Sequence, residues 1–252
     1  MQHWNNPTWD NKMADDIVSR RYLSGEYADK NPDWDSGDAP WKAALVADIL
    51  LRNKIRPQTL VEVGCGAGGV LAALRSSYPE TQLSGYDIAP GAAGFWARHE
   101  TARIHFEVGD FLEINQGPQD VVLLLDVLEH LGDPFSFLER LRPHSRYAVF
   151  HIPLDLSAIS VLRESPLLHV RERVGHIHYY TRKLALAMLD ECGYEIIEAR
   201  YTGAALNAPR RSFKTRLAGL ARKAVFAINH DMGARLMGGE TLLVLAAPKV
   251  SA

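Results

Sequence analysis

The sequence is poor in the features that would assign it to several common classes of protein. It has only 2 cysteines in 252 residues, which is too few for a disulfide framework or a structural zinc site. Its formal net charge is only -2. Because the chain has no excess of positive charge, it is not predicted to bind nucleic acid. No apolar run is long enough to span a bilayer, and the start "MQHWNNPTWDNK" lacks a basic-then-apolar signal pattern. We therefore expect a cytoplasmic protein with no nucleic acid partner and no stable membrane insertion.

The chain has the composition of an ordinary globular domain. Its residues are 47% hydrophobic and 23% charged, and 252 residues suffice for one α/β domain with a substantial core. From residue 41 to about 200, strand-like apolar runs alternate with helical patterns. The predicted strands are "TLVEV" (59–63), "QLSGYD" (82–87), "RIHFEV" (103–108), "DVVLLL" (120–125) and "RYAVFHI" (146–152). Such alternation predicts a mainly parallel sheet with right-handed crossovers.

Three regions interrupt this alternation and divide the chain. Residues 1–40 are polar between tryptophans and tyrosines, and we interpret them as an N-terminal arm or lid. Residues 41–252 form the main domain, with long connections near 153–180 and 202–238. Because long connections in a compact domain usually cover a site, we expect both to cover the substrate.

The second connection contains a basic amphipathic pattern. Its apolar positions fall near one helical face, and they are Phe213, Leu217, Leu220, Ala224 and Ile228. An amphipathic face usually packs on a core, so we favour a cover helix that crosses the pocket mouth. The alternative is an interfacial helix that reaches a lipid or an anionic carrier-linked substrate.

The stretch "VEVGCGAGGV", residues 61–70, follows the first predicted strand and has two interpretations. Gly64, Gly66 and Gly69 match G-x-G-x-x-G, the dinucleotide-binding fingerprint. Counted from Glu62 through Gly64 and Gly66 to Gly68, the same letters have the E-x-G-x-G-x-G spacing of a loop that holds S-adenosylmethionine. The glycines alone do not decide between the two cofactors.

Acidic residues at the ends of the later strands favour S-adenosylmethionine. Asp87 ends the second strand and could accept both ribose hydroxyls of either cofactor. Asp110 follows the third strand, where it could accept a hydrogen bond from an adenine amino group. The fourth strand runs into "DVLEHLGDP", which places Asp126, Glu129 and His130 at the same edge of the sheet. A ligand with a sulfonium and an ammonium group matches this acidic edge better than a nicotinamide does.

The ordered set of these motifs resembles the class I S-adenosylmethionine-dependent methyltransferases. The motifs are "VEVGCGAGG", "YDIAP", "VGDFLE", "DVVLLLDVLEHLGDP" and "HYYTRKLALAMLDECGYEII". They are most similar to the branch that holds quinone-biosynthesis and small-molecule O-methyltransferases. The resemblance implies an α/β, Rossmann-like fold with a seven-stranded, mostly parallel sheet and helices on both faces. It also implies that the last strand is antiparallel and is inserted beside the fifth.

The resemblance assigns cofactor-binding roles to residues at the ends of the first four strands. These residues are Glu62, Gly64, Gly66, Gly68, Asp87, Ile88, Asp110, Phe111, Asp126 and Val127. It implies that the glutamate and the glycines line the methionine end, Asp87 holds the ribose, and Ile88 packs on the adenine. It further implies that the helix "DAPWKAAL" brings Trp41 and Lys42 near the donor or the entrance.

Methyl transfer to oxygen also needs a group that takes the acceptor's proton. Histidine titrates in the useful range, and His130 and His151 both follow strands that should end near the methyl group. We expect catalysis from His130 first and from His151 second. If the acceptor is a nitrogen or a stabilised carbanion, these histidines only orient the substrate.

The segment "GHIHYY" is predicted to form part of the substrate pocket, through His176, His178, Tyr179 and Tyr180. His176 and His178 share one face if the segment is extended, which together with Asp155 suggests a metal site. Because nothing supplies the remaining ligands at a recognisable spacing, we expect no metal.

We therefore predict an enzyme that uses S-adenosylmethionine to methylate a small-molecule acceptor, with oxygen as the expected acceptor atom. One alternative is a catalytically silent donor-binding module that regulates a partner. Another is a nicotinamide-dependent oxidoreductase. We expect a monomer or a homodimer.

Overall fold

The computed structural model describes residues 20–32, 34, 36–114, 117–204 and 225–249. Within them, seven strands form one sheet in the order β3-β2-β1-β4-β5-β7-β6. The strands are β1 Thr59–Val63, β2 Gln82–Asp87, β3 Ile104–Val108, β4 Gln119–Leu125, β5 Ser145–Leu154, β6 Tyr194–Tyr201 and β7 Glu240–Pro248. The first five pair in parallel, whereas β7 is antiparallel to both β5 and β6. The predicted Rossmann-like sheet, with its last strand beside the fifth, is confirmed.

The strand order places a crevice at one edge of the sheet. The chain moves outward from β1 to β2 and β3 and then returns to add β4 on the other side of β1. Strand order therefore reverses between β1 and β4. In open parallel sheets ligands bind beyond the carboxyl ends of the strands at such a reversal.

The helices connect these strands and pack on both faces of the sheet. The α-helices with both ends among the described residues include α1 Glu26–Lys30, α2 Ala39–Arg52, α3 Gly69–Leu74, α4 Phe111–Ile114, α5 Pro134–Leu141, α6 Ala158–Arg163, α7 Ser165–Arg173, α8 Arg182–Glu191 and α9 His230–Met237. Further helical residues lie at 20–23 and 225–228. Short 3-10 helices cover Ser36–Asp38, Pro90–Arg98, Leu128–His130 and Arg142–His144. The segment Pro90–Arg98 contains two glycines, which lower its propensity for the regular α form.

Two cores lie on opposite faces of the sheet, and the central strands contribute to both. Alternate residues of β4 enter the two cores, with Val121, Leu123 and Leu125 on one face and Val122 and Leu124 on the other. The first core is covered by α2 and α3, and the second by α5 and α8. Burial on both faces explains why the strands are apolar without alternation.

The long connections are only partly described. The connection after β5 forms α6 and α7, and α6 begins at a capping box in which Ser157 and Ser160 bond reciprocally. In the second connection, Phe213, Leu217, Leu220 and Ala224 lie outside the described residues, and so do the tryptophans Trp4 and Trp9 of the first 40 residues. None of the described helices is both long enough and apolar enough to cross a membrane.

Candidate functional site

A cavity of about 1010 Å3 opens at the carboxyl ends of the strands, beside the reversal of strand order. This volume lies at the upper end of the range of about 300–1,000 Å3 for small-molecule sites. The predicted cofactor residues that line it are Glu62, Gly64, Gly66, Asp87, Ile88, Asp110, Phe111, Asp126 and Val127. The structure thus brings nearly all of the predicted cofactor residues to one cavity, although they come from four strand ends.

The glycine loop after β1 needs glycine for two separate reasons. Gly64, Gly66 and Gly68 have φ angles of 72°, 49° and 76°, in the left-handed region that other residues rarely adopt. A Cβ at Gly64 would also lie 2.8 Å from Val127, and one at Gly68 would lie 2.6 Å from Phe106. Gly68 is not part of the cavity lining, and it instead turns the chain into α3. A direct contact between Gly68 and the cofactor stays a prediction, and the ring beside Gly68 belongs to the first core.

Asp87 holds the glycine loop in place. Its carboxylate accepts one hydrogen bond from the amide of Gly66 and another from the amide of Ala89, each at 2.8 Å. Burial raises the pKa of Asp87, and the two amide hydrogen bonds oppose that rise. Each oxygen keeps a second lone pair, so the side chain can still accept from a ligand. The adjacent Ile88 is 38% exposed and lines the cavity.

The two residues that follow β3, Asp110 and Phe111, have different surroundings in the cavity wall. Asp110 accepts a hydrogen bond from the amide of Leu112 at 2.9 Å and lines the cavity. Phe111 is only 1% exposed and packs edge-on against Tyr86, with ring centroids 5.3 Å apart. Phe111 is thus a buried part of the cavity wall rather than an open stacking surface, because its ring belongs to the second core.

Glu62 presents a buried carboxyl group to the cavity. The side chain is 3% exposed, and its Oε2 has no hydrogen-bond partner among the described residues. Burial raises the pKa of Glu62 to about 8, with Lys42 lowering it and Asp87 raising it further. A buried acceptor without a partner is costly unless a ligand satisfies it. Glu62 therefore fits a ligand with a donor or a cationic group.

Replacing Glu62 by glutamine is expected to remove one component of the pH dependence of stability. The folded-state pKa of about 8 exceeds the ordinary value of 4.5, so the folded protein holds this proton more tightly than the unfolded chain. The free energy of unfolding of the wild type, relative to Glu62→Gln, should therefore fall as the pH rises from about 5 to about 8. Urea unfolding at both pH values measures this difference. The exposed Glu195→Gln serves as control, and equal shifts for the two variants would contradict the assignment.

Asp126 lies between a lysine and a histidine at the end of β4. Its carboxylate is 2.7 Å from Lys42 Nζ and 2.6 Å from His151 Nδ1. Burial alone would raise the pKa of Asp126, but His151 and Lys42 lower it well below its ordinary range. The backbone of Asp126 has a φ of 58°, a left-handed conformation that costs energy in a non-glycine residue and is often found at functional sites.

His151 was predicted to end near the methyl group, and the structure places it behind residues of the cavity wall rather than in the cavity lining. The side chain is 2% exposed, and its Nε2 is 3.0 Å from Oγ1 of Thr241. Asp126 and Thr241, which line the cavity, thus engage both ring nitrogens. His151 is a positioning residue for Asp126.

Glu129, His130 and His176 form a second polar cluster, which we call the Glu129 cluster. One possible ligand atom from each residue lies within 4.8 Å of the others, and the two histidine rings are 4.9 Å apart. Glu129 is fully buried, and neither of its carboxyl oxygens has a hydrogen-bond partner among the described residues. Nδ1 of His130 also has none, whereas Nδ1 of His176 is 2.6 Å from Asp155.

Burial shifts the pKa values of two members of the Glu129 cluster in opposite directions. Burial raises the pKa of Glu129 well above its ordinary value, and the nearby Asp126 raises it further. Burial, followed by the influence of His176, lowers the pKa of His130 to about 4. His130 is therefore neutral at pH 7, and its ring and that of His176 line the cavity.

The other three predicted substrate residues are not brought to the cavity lining. His178 Nε2 is 2.8 Å from the carbonyl oxygen of Leu131, and the Tyr179 hydroxyl donates to the carbonyl of Leu167 at 3.2 Å. Tyr180 is 7% exposed and belongs to the second core. Of the four predicted substrate residues, only His176 belongs to the cavity lining, and a substrate role for the other three stays a prediction.

Aromatic residues of the N-terminal segment close one side of the cavity. Tyr22, Tyr27 and Trp34 line it together with Leu23. The segment is attached to the end of α7, because a guanidinium nitrogen of Arg21 donates to the carbonyl of Arg171 at 3.0 Å. The described part of the predicted arm or lid, from residue 20 onward, thus lies against the same cavity as the glycine loop.

The fold and this cavity define a Rossmann-like methyltransferase domain. The family model for a methyltransferase domain matches residues 40–199, more than half of the chain. The chain belongs to this family.

Curated relatives match only part of the chain, whereas solved structures match nearly all of it at low sequence identity. Malonyl-[acyl-carrier protein] O-methyltransferase from Hahella chejuensis (strain KCTC 2396) is 32% identical over 105 residues, which cover 39% of this chain and 38% of that protein. The chain thus spans about two fifths of the length of the curated relatives it matches first.

Two solved structures share the fold over nearly the whole chain. The complex between the Haloferax volcanii Trm112 methyltransferase activator and a methyltransferase has a TM-score of 0.62 at 20% identity, and the match covers 93% of this chain and 99% of that one. The plantazolicin methyltransferase BpumL, in complex with a desmethylPZN analog and SAH, has a TM-score of 0.60 at 15% identity and covers 94% of this chain and 96% of that one. At these identities the likeness shows the fold alone.

Proposed function

We propose that this chain transfers a methyl group from S-adenosylmethionine to an oxygen atom of a small-molecule acceptor. The observation that carries the proposal is the convergence of the glycine loop, Asp87 and the unpartnered Glu62 on one cavity at the reversal of strand order. Membership of the methyltransferase-domain family supports the same activity.

The residues of the strand ends fit the cofactor. Asp87 can accept from ribose hydroxyls while it holds the glycine loop, and Ile88 offers an exposed apolar surface to the adenine. Glu62 can accept from the donor's ammonium group, which satisfies the buried Oε2. Bound in this way, the cofactor supplies a methyl group on a positively charged sulfur.

The Glu129 cluster lies on the acceptor side of the cavity. In-line methyl transfer requires the acceptor atom to be held about 3–3.5 Å from the methyl carbon, so orientation provides much of the rate. We propose that His130 and His176 contact the acceptor oxygen and favour the loss of its proton. The word O-methyltransferase in the name of the Hahella chejuensis relative supports oxygen as the acceptor atom.

The N-terminal segment supplies the apolar wall around the acceptor. Tyr22, Leu23 and Tyr27 face the cavity, and Lys30 and Asn31 are held by carbonyl groups at the end of α7. We propose that this segment excludes water during transfer, which strengthens the electrostatic interactions within the site.

Calorimetry with S-adenosylhomocysteine, the demethylated product, tests the proposal directly. We expect saturable binding at one site per chain, and release of this product when S-adenosylmethionine is incubated with an acceptor from a panel of acids, phenols and amines. The absence of binding at millimolar concentration would refute the proposal. Binding without transfer to any acceptor would instead indicate a silent donor-binding module.

A further inference from the structure

The Glu129 cluster is the largest group of buried polar atoms that the described residues leave without partners. Both oxygens of Glu129, Nδ1 of His130 and the hydroxyl of Tyr22 have no hydrogen-bond partner among them. The ring of Tyr22 packs edge-on against His130 at 6.0 Å. Because buried polar groups are nearly always satisfied in native proteins, the two carboxyl oxygens of Glu129, left without partners beside two imidazole rings, indicate a missing ligand.

We propose that Glu129, His130 and His176 bind a divalent transition-metal ion on the acceptor side of the cavity. Two imidazoles and one carboxylate form a donor set that suits Zn2+ or Fe2+ better than Mg2+, which prefers oxygen ligands. Three protein ligands also leave a coordination position for a water or a substrate oxygen, as in catalytic zinc sites.

The distances within the cluster are close to those of a metal site. Oε1 of Glu129 lies 3.9 Å from Nε2 of His130 and 3.9 Å from Nε2 of His176. Bonds of about 2.0–2.1 Å in a tetrahedral site place the ligand atoms about 3.3 Å apart. Each carboxylate–imidazole pair therefore needs to shorten by about 0.6 Å, and the two histidines, whose ligand atoms lie within 4.8 Å of each other, by at most about 1.5 Å.

The surroundings of the cluster orient its ligands. Asp155 accepts from Nδ1 of His176 at 2.6 Å, which leaves Nε2 free to bind the ion. Metal-binding histidines almost always donate their second N–H to a carboxylate or a carbonyl in this way. The amide of Ile177 donates to the Glu129 carbonyl at 2.8 Å and holds the two segments together.

The consequence for the reaction rests on the proposed function, whereas metal binding itself does not. With the ion bound, His130 and His176 act on the acceptor oxygen through the metal rather than by direct contact, and the ion lowers the pKa of a coordinated acceptor hydroxyl, whose proton leaves to water. The oxygen lone pair then forms the bond to the methyl carbon, and the pair of the carbon–sulfur bond returns to sulfur. The substrate class that follows is one with a hydroxyl or a carboxyl group that can coordinate a metal.

Titration of the chelator-treated protein with Zn2+, and with Co2+ followed by its visible absorption, tests the site without any assay of activity. We expect one ion per chain. Glu129→Gln and His176→Gln should each weaken binding by more than about 100-fold, because even partners outside the ligand set commonly account for about 10- to 100-fold. Asp155→Asn should weaken it by roughly 10-fold. His105→Gln, which changes an exposed histidine on β3, is the control and should bind normally.

Circular dichroism reports whether each variant is folded, and binding of S-adenosylhomocysteine separates the two proposals. Metal binding that the cluster variants abolish, in a protein that binds no S-adenosylhomocysteine, would retain the metal site and refute the proposed function. Absence of the ion, or equal binding by the wild type, Glu129→Gln and His176→Gln, would overturn the metal site.

Discussion

Replacing Asp87 by alanine is expected to weaken the binding of S-adenosylhomocysteine by roughly 100-fold or more. The carboxylate accepts hydrogen bonds from the amides of Gly66 and Ala89, and it also faces the cavity. The variant therefore loses its contact with the ribose and leaves two amides of the loop without their acceptor. A hydrogen bond to a charged group contributes about 1.5–3 kcal/mol, and each 1.4 kcal/mol corresponds to about tenfold in affinity.

Calorimetry measures this loss, with Asp190→Ala as the matched control. Asp190 pairs with Lys249, its side chain is 66% exposed, and it lies outside the cavity lining. The control should bind the ligand as the wild type does. Asp87→Asn should fall between the two, because it keeps one acceptor oxygen. Unchanged affinity in a folded Asp87→Ala protein would show that the ligand lies elsewhere.

Replacing Glu240 by alanine is expected to lower the free energy of unfolding by about 3 kcal/mol, because several hydrogen bonds to one buried carboxyl group are lost together. Glu240 is 1% exposed at the start of β7. One of its oxygens accepts from the amides of Gly203, Ala204 and Thr241, and the other is 2.9 Å from His230. The variant leaves these partly buried donors without their acceptor, and the loss of each hydrogen bond costs about 0.5–1.5 kcal/mol.

Urea unfolding provides the measurement for Glu240, and Glu195→Ala on the neighbouring strand is the control. Glu195 is exposed, so its loss should change the free energy of unfolding by no more than about 0.5 kcal/mol. If Glu240→Ala were as stable as the control, the carboxylate could not be what joins β6 and α9 to β7.

The strands could be predicted closely because each carries its own local signal. The runs at 59–63 and 82–87 have the predicted bounds, since turn-forming residues limit them on both sides. The fifth strand was predicted to end at residue 152, before a proline, but β5 continues to Leu154. Its pairing with β4 ends at His151, whereas the antiparallel pairing with β7 continues to Leu154. A contact with a strand so distant in the sequence is invisible to a local pattern.

The candidate site shows the same difference between local sequence signals and contacts that join distant segments. The glycine loop and Asp87 could be predicted because their spacing follows from strand ends that meet at one edge. His151 was predicted to face the cavity by the same argument, but Asp126 and Thr241 cover it.

By itself the sequence determined the strands, the turn that only glycine can form and the carboxylates of the cofactor side, because each depends on neighbours in the chain. Only the tertiary structure decided which histidines reach the cavity and that His176 lies against Glu129 and His130. Those contacts join segments far apart in the chain, and their geometry depends on how the connection after β5 folds back over the sheet.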